Sequence, residues 1–333
     1  VNILPPHENP ALIGHDEAIK QVAGAFVSGR MAHAWLITGA EGIGKATLAY
    51  HMAHYILSNG ENRMGQLNMQ HPAARLIAAE AHPDIFVVRR PVDEKTGTQK
   101  ETIPVESARK IAAFLHKTAS HGNWRVAIID EAHALNRHGQ NAILKVIEEP
   151  PPQSVIILTA TTTGALVPTI RSRCRHLPLQ PLNEVSLRAV LARCGLNLAE
   201  EELSSLIILS EGSAGFALRL AETQALPVFS ELEEMLRNPR RMDTRKIHIL
   251  ADRIGKKSEA ESFNVITRLL VGLLKQNVKI IAMRNKKDAA LDHAMHLWDK
   301  VRRTFEEAAA ANLDRKLAFV NAMTEIRKSG TME

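Results

Sequence analysis

ITGAEGIGKATLA, residues Ile37–Ala49, decides how the chain is read. The apolar run Ala34-Trp35-Leu36-Ile37 leads into Gly39, Gly42 and Gly44, then Lys45, then helix-forming residues. That is the pattern of a strand, a tight glycine loop and a helix. Glycines open backbone conformations closed to other residues, so several N–H groups can converge on phosphate oxygens, and Lys45 adds a point charge for β- and γ-phosphates. Gly39 to Lys45 satisfies every fixed position of G-x-x-x-x-G-K-[ST] except the last. Ala46 stands where a Ser or Thr hydroxyl would hold Mg²⁺. Thr47 offers a hydroxyl one residue on, but a helical step turns it by about 100°.

Outward from this loop, apolar runs alternate with helical periods. Glu17–Ser28 predicts a helix before the loop, and Thr47–Ser58 one after it, with Leu48, Met52, Tyr55 and Ile56 on its inner face. The prolines at 5, 6 and 10 predict an extended N-terminal arm. Residues 59–82 read as a polar, partly helical insertion. Ile85–Val88 is a second strand and RRPVDEKTGTQKET an exposed loop. Ser107–Thr118 predicts a helix, Trp124–Ile129 a buried strand ending in Asp130-Glu131, and Asn141–Ile147 a helix stopped by Pro150–Pro152. Val155–Leu158 is a further strand with a threonine-rich end, and His176–Leu179 the last. Continuous apolar strands separated by helices predict a doubly wound parallel sheet.

Strand signals stop at Pro181. Helices are expected at Val185–Cys194, at Glu201–Ser210 and, after Gly212 and Gly215, through Thr223, with a boundary at Pro227. Later stripes (Ile266, Leu269, Leu270, Leu273, Leu274, then Leu297, Val301, Phe305) read as helical core. The expected organisation is an α/β nucleotide-type domain over 1–180, a small helical lid over 181–225 and an all-α domain over 226–333.

Composition narrows the function classes. No apolar run approaches the roughly 18–20 residues of a membrane span, and VNILPPHENP lacks a signal-peptide layout, so a cytoplasmic protein is expected. Two cysteines, Cys174 and Cys194, cannot form a disulfide framework or a four-thiolate zinc site. Fifteen histidines add no ligand spacing: His51 and His54 fall on the helix after the loop, and His71, His82 and His121 on separate loops. A net charge of +6 is compatible with nucleic acid. The basic groups (Arg237, Arg240, Arg241, Arg245, Lys246; Lys256, Lys257; Arg284, Lys286, Lys287) also read as a solvated helical surface.

Asp130 ends a buried strand at the edge where open α/β sheets bind ligands. It suits Mg²⁺, while Glu131 suits the polarising of a water; capping of the next helix is the plainer alternative. Thr159 and Thr161 could sense a γ-phosphate or merely reflect β-propensity and turn chemistry. Arg171, Arg173 and Arg175 fall at the rim of the domain.

Together, IIDEAHALNRHGQNAILKVIEEPP, TATTTGALVPTIRSRC, HAWLITGAEGIGKATLA, HPDIFVV and NLDRKLAF (Asn312–Phe319) resemble the clamp-loader branch of the AAA+ ATPases over most of the chain. The resemblance implies a P-loop AAA+ domain, a lid and a collar-forming helical domain. Among bacterial members the choice lies between the ATP-hydrolysing gamma/tau type and the delta-prime type of DNA polymerase III. Gamma/tau subunits carry the P-loop hydroxyl, and an arginine soon after a Gly-Ser in the lid; here stand Ala46 and Gly212-Ser213-Ala214-Gly215, with Arg219 a helical turn on. The cysteine-free insertion removes the zinc module common to both types, and the chain shows no long tau-like extension.

The resemblance therefore implies a delta-prime-like subunit with weak or absent ATPase and no polymerase activity of its own. ATP or ADP would sit weakly at Gly39, Gly42, Gly44, Lys45, Thr47, Asp130, Glu131 and Thr161, with Mg²⁺ optional and zinc absent. Arg173 would act in trans on a neighbour's ATP. The implied partners are gamma/tau and delta subunits, a sliding clamp and primed DNA, with no membrane. The alternative is a gamma/tau-like motor using Lys45, Asp130 and Glu131.

Overall fold

A computed structural model describes residues 3–93, 99–120, 123–223, 225–256, 260–284, 289–310 and 313–330. His121, Lys257, Lys286, Lys287, Asn312 and the centre of the loop after Val88 lie outside the described residues. In order, the first elements are α1 (Asp16–Val27), β1 (Ala34–Thr38), α2 (Lys45–Leu57), α3 (Pro72–Ala78), β2 (Ile85–Val88), α4 (Val105–Leu115) and β3 (Arg125–Ile129). Then come α5 (Arg137–Glu148), β4 (Ser154–Ala160), α6 (Pro168–Arg171), β5 (Arg175–Pro178) and α7 (Glu184–Arg193). The rest is helical: α8 (Glu200–Leu209), α9 (Ala214–Glu222), α10 (Ala225–Leu236), α11 (Thr244–Ile254), α12 (Ala260–Arg284), α13 (Ala289–Ala310) and α14 (Arg315–Ser329).

The five strands form one parallel sheet, ordered β2-β3-β4-β1-β5. Side chains alternate between faces along a strand, so an apolar run supplies two cores at once. Trp35, Ile37, Val126, Ile128, Val155 and Ile157 pack with residues of α1 and α2, including Val22, Leu48 and Met52. Leu36, Ala127, Ile129, Ile156 and Leu158 pack with Ile111 of α4 and Ile143 and Ile147 of α5. Helices on both faces of a parallel sheet, followed by an all-α region, match the expected AAA+-like class. No described helix is long and apolar enough to cross a membrane.

The chain divides into two compact units: Val1–Asn197 with Ser210–Gly215, and Leu198–Leu209 with Phe216–Glu333. In the second unit α12 packs on α13, α13 on α14, and α11 on α14. Of the expected stripes, Ile266, Leu269, Leu270, Leu274, Leu297, Val301 and Phe305 are buried, and Leu273 is half-buried.

Two expectations change. α2 is buried almost all round from Leu48 to Leu57, His51 and His54 included, rather than on one face. The insertion and the N-terminal arm cover its other side. Met64, Leu67, Ala74 and Ile77 are buried, and the arm is held by hydrogen bonds from Leu67 N to Pro10 O (2.8 Å) and Leu12 N to Gly65 O (3.0 Å). Pro227 sits inside the first turn of α10, where a missing N–H costs nothing, so the boundary expected there falls at the start of a helix. Arg125, at the head of a strand read as apolar, is buried against Asp84 (Nη2 to Oδ1, 3.4 Å). Arg125 also donates to the carbonyls of Phe114 and Thr118 and lies over the Phe114 ring.

Candidate functional site

The parallel register brings the C-terminal ends of β1, β3 and β4 to one edge of the sheet. β1 runs into the glycine loop, whose Gly39, Gly42 and Gly44 all take positive φ (151°, 76° and 104°). Gly44 is the N-cap of α2, so the loop's N–H groups and the positive end of the helix dipole face the same space. Lys45 opens α2 and its Nζ donates to Ala40 O at 2.7 Å. Burial lowers the Lys45 pKa, and attraction to Asp130, Glu41 and Glu131 opposes that shift. Ala46 and Thr47 follow in the first turn of α2, both half-buried.

Asp130 emerges from β3 half-buried; burial raises its carboxyl pKa, and the hydrogen bond from Thr159 works against this. Thr159, fully buried in β4, donates its hydroxyl to Asp130 Oδ1 at 2.6 Å and accepts from Glu131 N at 2.9 Å. It is a brace for the Asp-Glu pair. Neither carboxylate caps a helix: Asn136 caps α5, accepting from Gly139 N. Glu131 has φ 56°, a left-handed conformation rare for a residue with a side chain. Thr161 lies half-buried just beyond β4.

Two contributors were missed in the sequence. Arg90, two residues past β2, binds both carboxylate oxygens of Glu131 (Nε to Oε2 2.5 Å, Nη2 to Oε1 2.8 Å). A bidentate guanidinium is among the stronger carboxylate partners, and it occupies both Glu131 oxygens. Its signal was position alone, at the C-terminal end of a strand within a loop read as exposed. The second is the Ser213–Gly215 segment: Gly215 N donates to Gly42 O at 2.8 Å, and the Ser213 hydroxyl to Glu41 O at 2.7 Å. A Cβ at Gly215 would stand 2.9 Å from Gly42 Cα, so only glycine permits this approach. From the other side His15, itself at φ 60°, bonds through Nε2 to Ile43 O at 2.7 Å, and burial lowers its pKa.

Arg173 is exposed beyond α6 and pairs with Glu148 (3.0 Å), both side chains more than 40% accessible. It also donates to Thr169 O and the Ser172 hydroxyl. An exposed pair contributes about 0–1 kcal/mol, so the guanidinium is cheaply released. Its partners lie outside the Lys45–Asp130–Glu131 cluster. Cys174 beside it is an inert thiol, its pKa pushed by burial to about 12.

The loop and Lys45 suit a phosphate, since the half-buried ammonium has a backbone carbonyl as its one hydrogen-bond partner among the described residues. The donor set suits Mg²⁺ less well, with Asp130 present but no hydroxyl at Ala46. No group of three His, Cys, Asp or Glu among the described residues could hold a metal ion.

A family model described as DNA polymerase III, delta subunit, matches residues 14–183, just over half of the chain. The chain belongs to that family. It is a bacterial clamp-loader AAA+ protein of the gamma, tau and delta-prime group, a family of DNA replication. It is 35% identical over 189 residues to the delta-prime subunit of Pseudomonas aeruginosa, covering 57% of this chain and 56% of that one. It is 33% identical over 222 residues to the gamma subunit of Buchnera aphidicola from Schizaphis graminum, covering 65% and 58%. The Escherichia coli delta-prime subunit is 30% identical over 202 residues, covering 60% and 58%. The chain thus spans little more than half the length of these relatives, and gamma and delta-prime subunits match it about equally. Among solved structures, a gamma-subunit-related protein from Thermotoga maritima shares the fold at TM-score 0.51 and 17% identity, covering 93% of this chain and 100% of that one.

Proposed function

We propose that this clamp-loader protein is of the delta-prime type: a non-hydrolysing subunit that completes the ATP site of a neighbour. The observation that carries the reading is Ala46, directly behind Lys45 at the start of α2, where a motor subunit needs its hydroxyl. The engagement of Glu131 by Arg90 and the seating of Gly215 on Gly42 point the same way. On this reading ATP or ADP binds weakly at Gly39, Gly42, Gly44 and Lys45, with Thr47, Asp130, Glu131 and Thr161 beside it, and is not turned over.

Arg173, loosely held by Glu148, reaches the γ-phosphate of ATP on an adjacent gamma/tau subunit. Residues 181–225 act as a lid and 226–333 as a collar shared with gamma/tau and delta subunits. The assembly works in the cytoplasm to place a sliding clamp on primed DNA.

The test is Arg173→Ala in a loader reconstituted with gamma/tau and delta. Loss of a trans arginine lowers turnover by ~10³–10⁵ in related phosphoryl-transfer systems, so DNA-stimulated ATPase should collapse while the complex still elutes as one species. Wild-type hydrolysis in that complex would refute the role. The intact trio Lys45, Asp130 and Thr159 supports a second reading, a gamma/tau-like motor. ATP turnover by the isolated chain at a gamma-like rate, abolished by Lys45→Ala, would establish it instead.

A further inference from the structure

We propose a second binding surface, for the phosphodiester backbone of nucleic acid, where the turn Pro239–Arg241, the first turn of α11 and the last turn of α14 meet. The sequence offered Arg237, Arg240, Arg241, Arg245 and Lys246 as one basic group among several. The fold separates this group from the others. All five side chains are exposed, and none has a carboxylate partner among the described residues. The turn and α11 both pack on α14, which delivers Arg327 from more than eighty residues away. Arg327 is anchored by donation from Nη1 to the Thr244 hydroxyl at 2.5 Å. Arg240 lies along Gly330, the left-handed cap of α14, and so ties the turn to that helix.

Several other cations of the same helical unit are neutralised locally. Arg253 pairs with Glu231 (2.8 Å), Lys300 with Glu325 (2.7 Å), Arg302 with Asp299 (2.7 Å) and Lys316 with Asp252 (2.5 Å). What sets this end of the unit apart is six cations gathered together with no carboxylate partner among the described residues, and the overall charge of +6 does not require it. Residues 237–246 hold one acid, Asp243, and its Oδ1 is turned back on the N–H of Arg245.

The patch also lacks what a protein partner would bury. Met242 and Ile247 point into the core, and one large apolar side chain, Ile249, is exposed a turn along α11. Interfaces between proteins are built around apolar and aromatic centres, which this surface does not present. Five arginines and a lysine on a polar background suit phosphates, which the planar guanidinium grips with two hydrogen bonds. With no aromatic side chain among residues 237–246 for base stacking, the surface is fitted to backbone contact without sequence preference.

The test uses the isolated full chain and a fluorescein-labelled DNA duplex of mixed sequence, read by anisotropy between ~50 and ~200 mM KCl. Engagement of about four phosphates predicts a slope of log K against log salt near −3.6. The variant Arg241→Glu with Arg245→Glu spares Arg240 and Arg327, which pack against α14 and α11. It should bind at least ~10-fold more weakly, with a slope shallower by about 1.8. Arg241→Ala with Arg245→Ala serves the same purpose if charge reversal unfolds the helix. Arg109→Glu with Lys110→Glu, exposed on α4, makes the same change in net charge elsewhere and should stay within about twofold.

Equal loss in that control would mean the whole chain's charge binds DNA, and would overturn the site. An unchanged slope in the patch variant would also overturn it. Competition by polyglutamate as effective as by DNA of equal charge would assign the surface to an acidic protein instead. None of these outcomes involves Arg173 or another subunit, so this site and the proposed subunit type fail separately.

Discussion

Gly215→Ala is the most direct perturbation of the seat between the Ser210–Gly215 segment and the phosphate loop. The added methyl carbon would stand 2.9 Å from Gly42 Cα and 3.3 Å from Gly42 O. Carbon pairs rest near 3.5–4.0 Å, so one backbone must retreat by roughly 0.6–1 Å. Both sides of the contact are main chain, and no side chain can rotate away. Overpacking of this kind costs about 1–3 kcal/mol, and the retreat forfeits the Gly215 N–H to Gly42 hydrogen bond, a further ~0.5–1.5 kcal/mol. Gly215 is the second residue of α9, so alanine returns at most about 1 kcal/mol of helix propensity.

The balance is a loss of about 1–3 kcal/mol from the seated arrangement, with the rest of the sheet domain intact. Hydrogen exchange resolves such a local change, because about 1.4 kcal/mol of opening free energy is a tenfold rate. Amides around residues 212–216 and 42–44 should exchange roughly tenfold faster or more. Those of β3 and β4 should keep their protection. Unchanged exchange at the seat together with a raised melting temperature would show that helix propensity outweighs the contact, and the close approach would lose its significance.

Two further outcomes follow from buried polar groups. His51 and His54 are both 1% exposed, and burial pushes each pKa down to about 4. The unfolded chain takes up their protons near pH 6.5 while the folded chain refuses them, so stability is full above that pH and drains as pH falls toward 4. At pH 5 the cost is about 2 kcal/mol per histidine. Urea midpoints at pH 7.5 and 5 should therefore diverge, and His54→Leu, which removes an unpartnered Nε2, should flatten the profile by about half; an unaltered profile would refute the assignment. Asp84→Asn should cost about 3 kcal/mol by leaving the Arg125 guanidinium buried without its counter-charge, at the low end of the range because two carbonyls remain. Asp84→Leu combined with Arg125→Met should lose less than the sum of the singles in the same urea assay. Strict additivity would mean the pair is not coupled.

The strands, their order of appearance and the phosphate loop were legible because each is local. Apolar runs of four to seven residues between turn signals can hardly be anything but buried strands, and the loop declares itself through the spacing of Gly39, Gly44 and Lys45. Contributions from distant chain segments were illegible. α2 looked one-sided because nothing in its own sequence announces that the insertion and the arm will bury His51 and His54. Arg90 looked like one more charge in a polar loop, since its partner lies forty-one residues on. Arg125 opens a strand and breaks its apolar pattern by one position, a deviation too small to signal a buried ion pair. Asp130 and Glu131 were correctly placed at a strand end, but the brace between them, Thr159, belongs to the neighbouring strand, and its own sequence left it open between a γ-phosphate sensor and ordinary β-propensity.

The same distinction bears on how the proposed loss of hydrolysis could be reversed. A missing hydroxyl at Ala46, a carboxylate held in both oxygens by Arg90, and a Gly215 seated on Gly42 come from three separate parts of the chain. Each bears on a different requirement: the metal, the water and the lid. Restoring one leaves the other two in place, so Ala46→Thr alone should raise nucleotide affinity without producing turnover in the isolated chain. Adding Arg90→Ala frees Glu131 but leaves the Gly42–Gly215 contact, and a measurable rate should await the Gly215→Arg change as well. A single Ala46→Thr substitution that produced gamma-like ATPase would mean that Arg90 and Gly215 impose no barrier, and the motor reading would then be the better one.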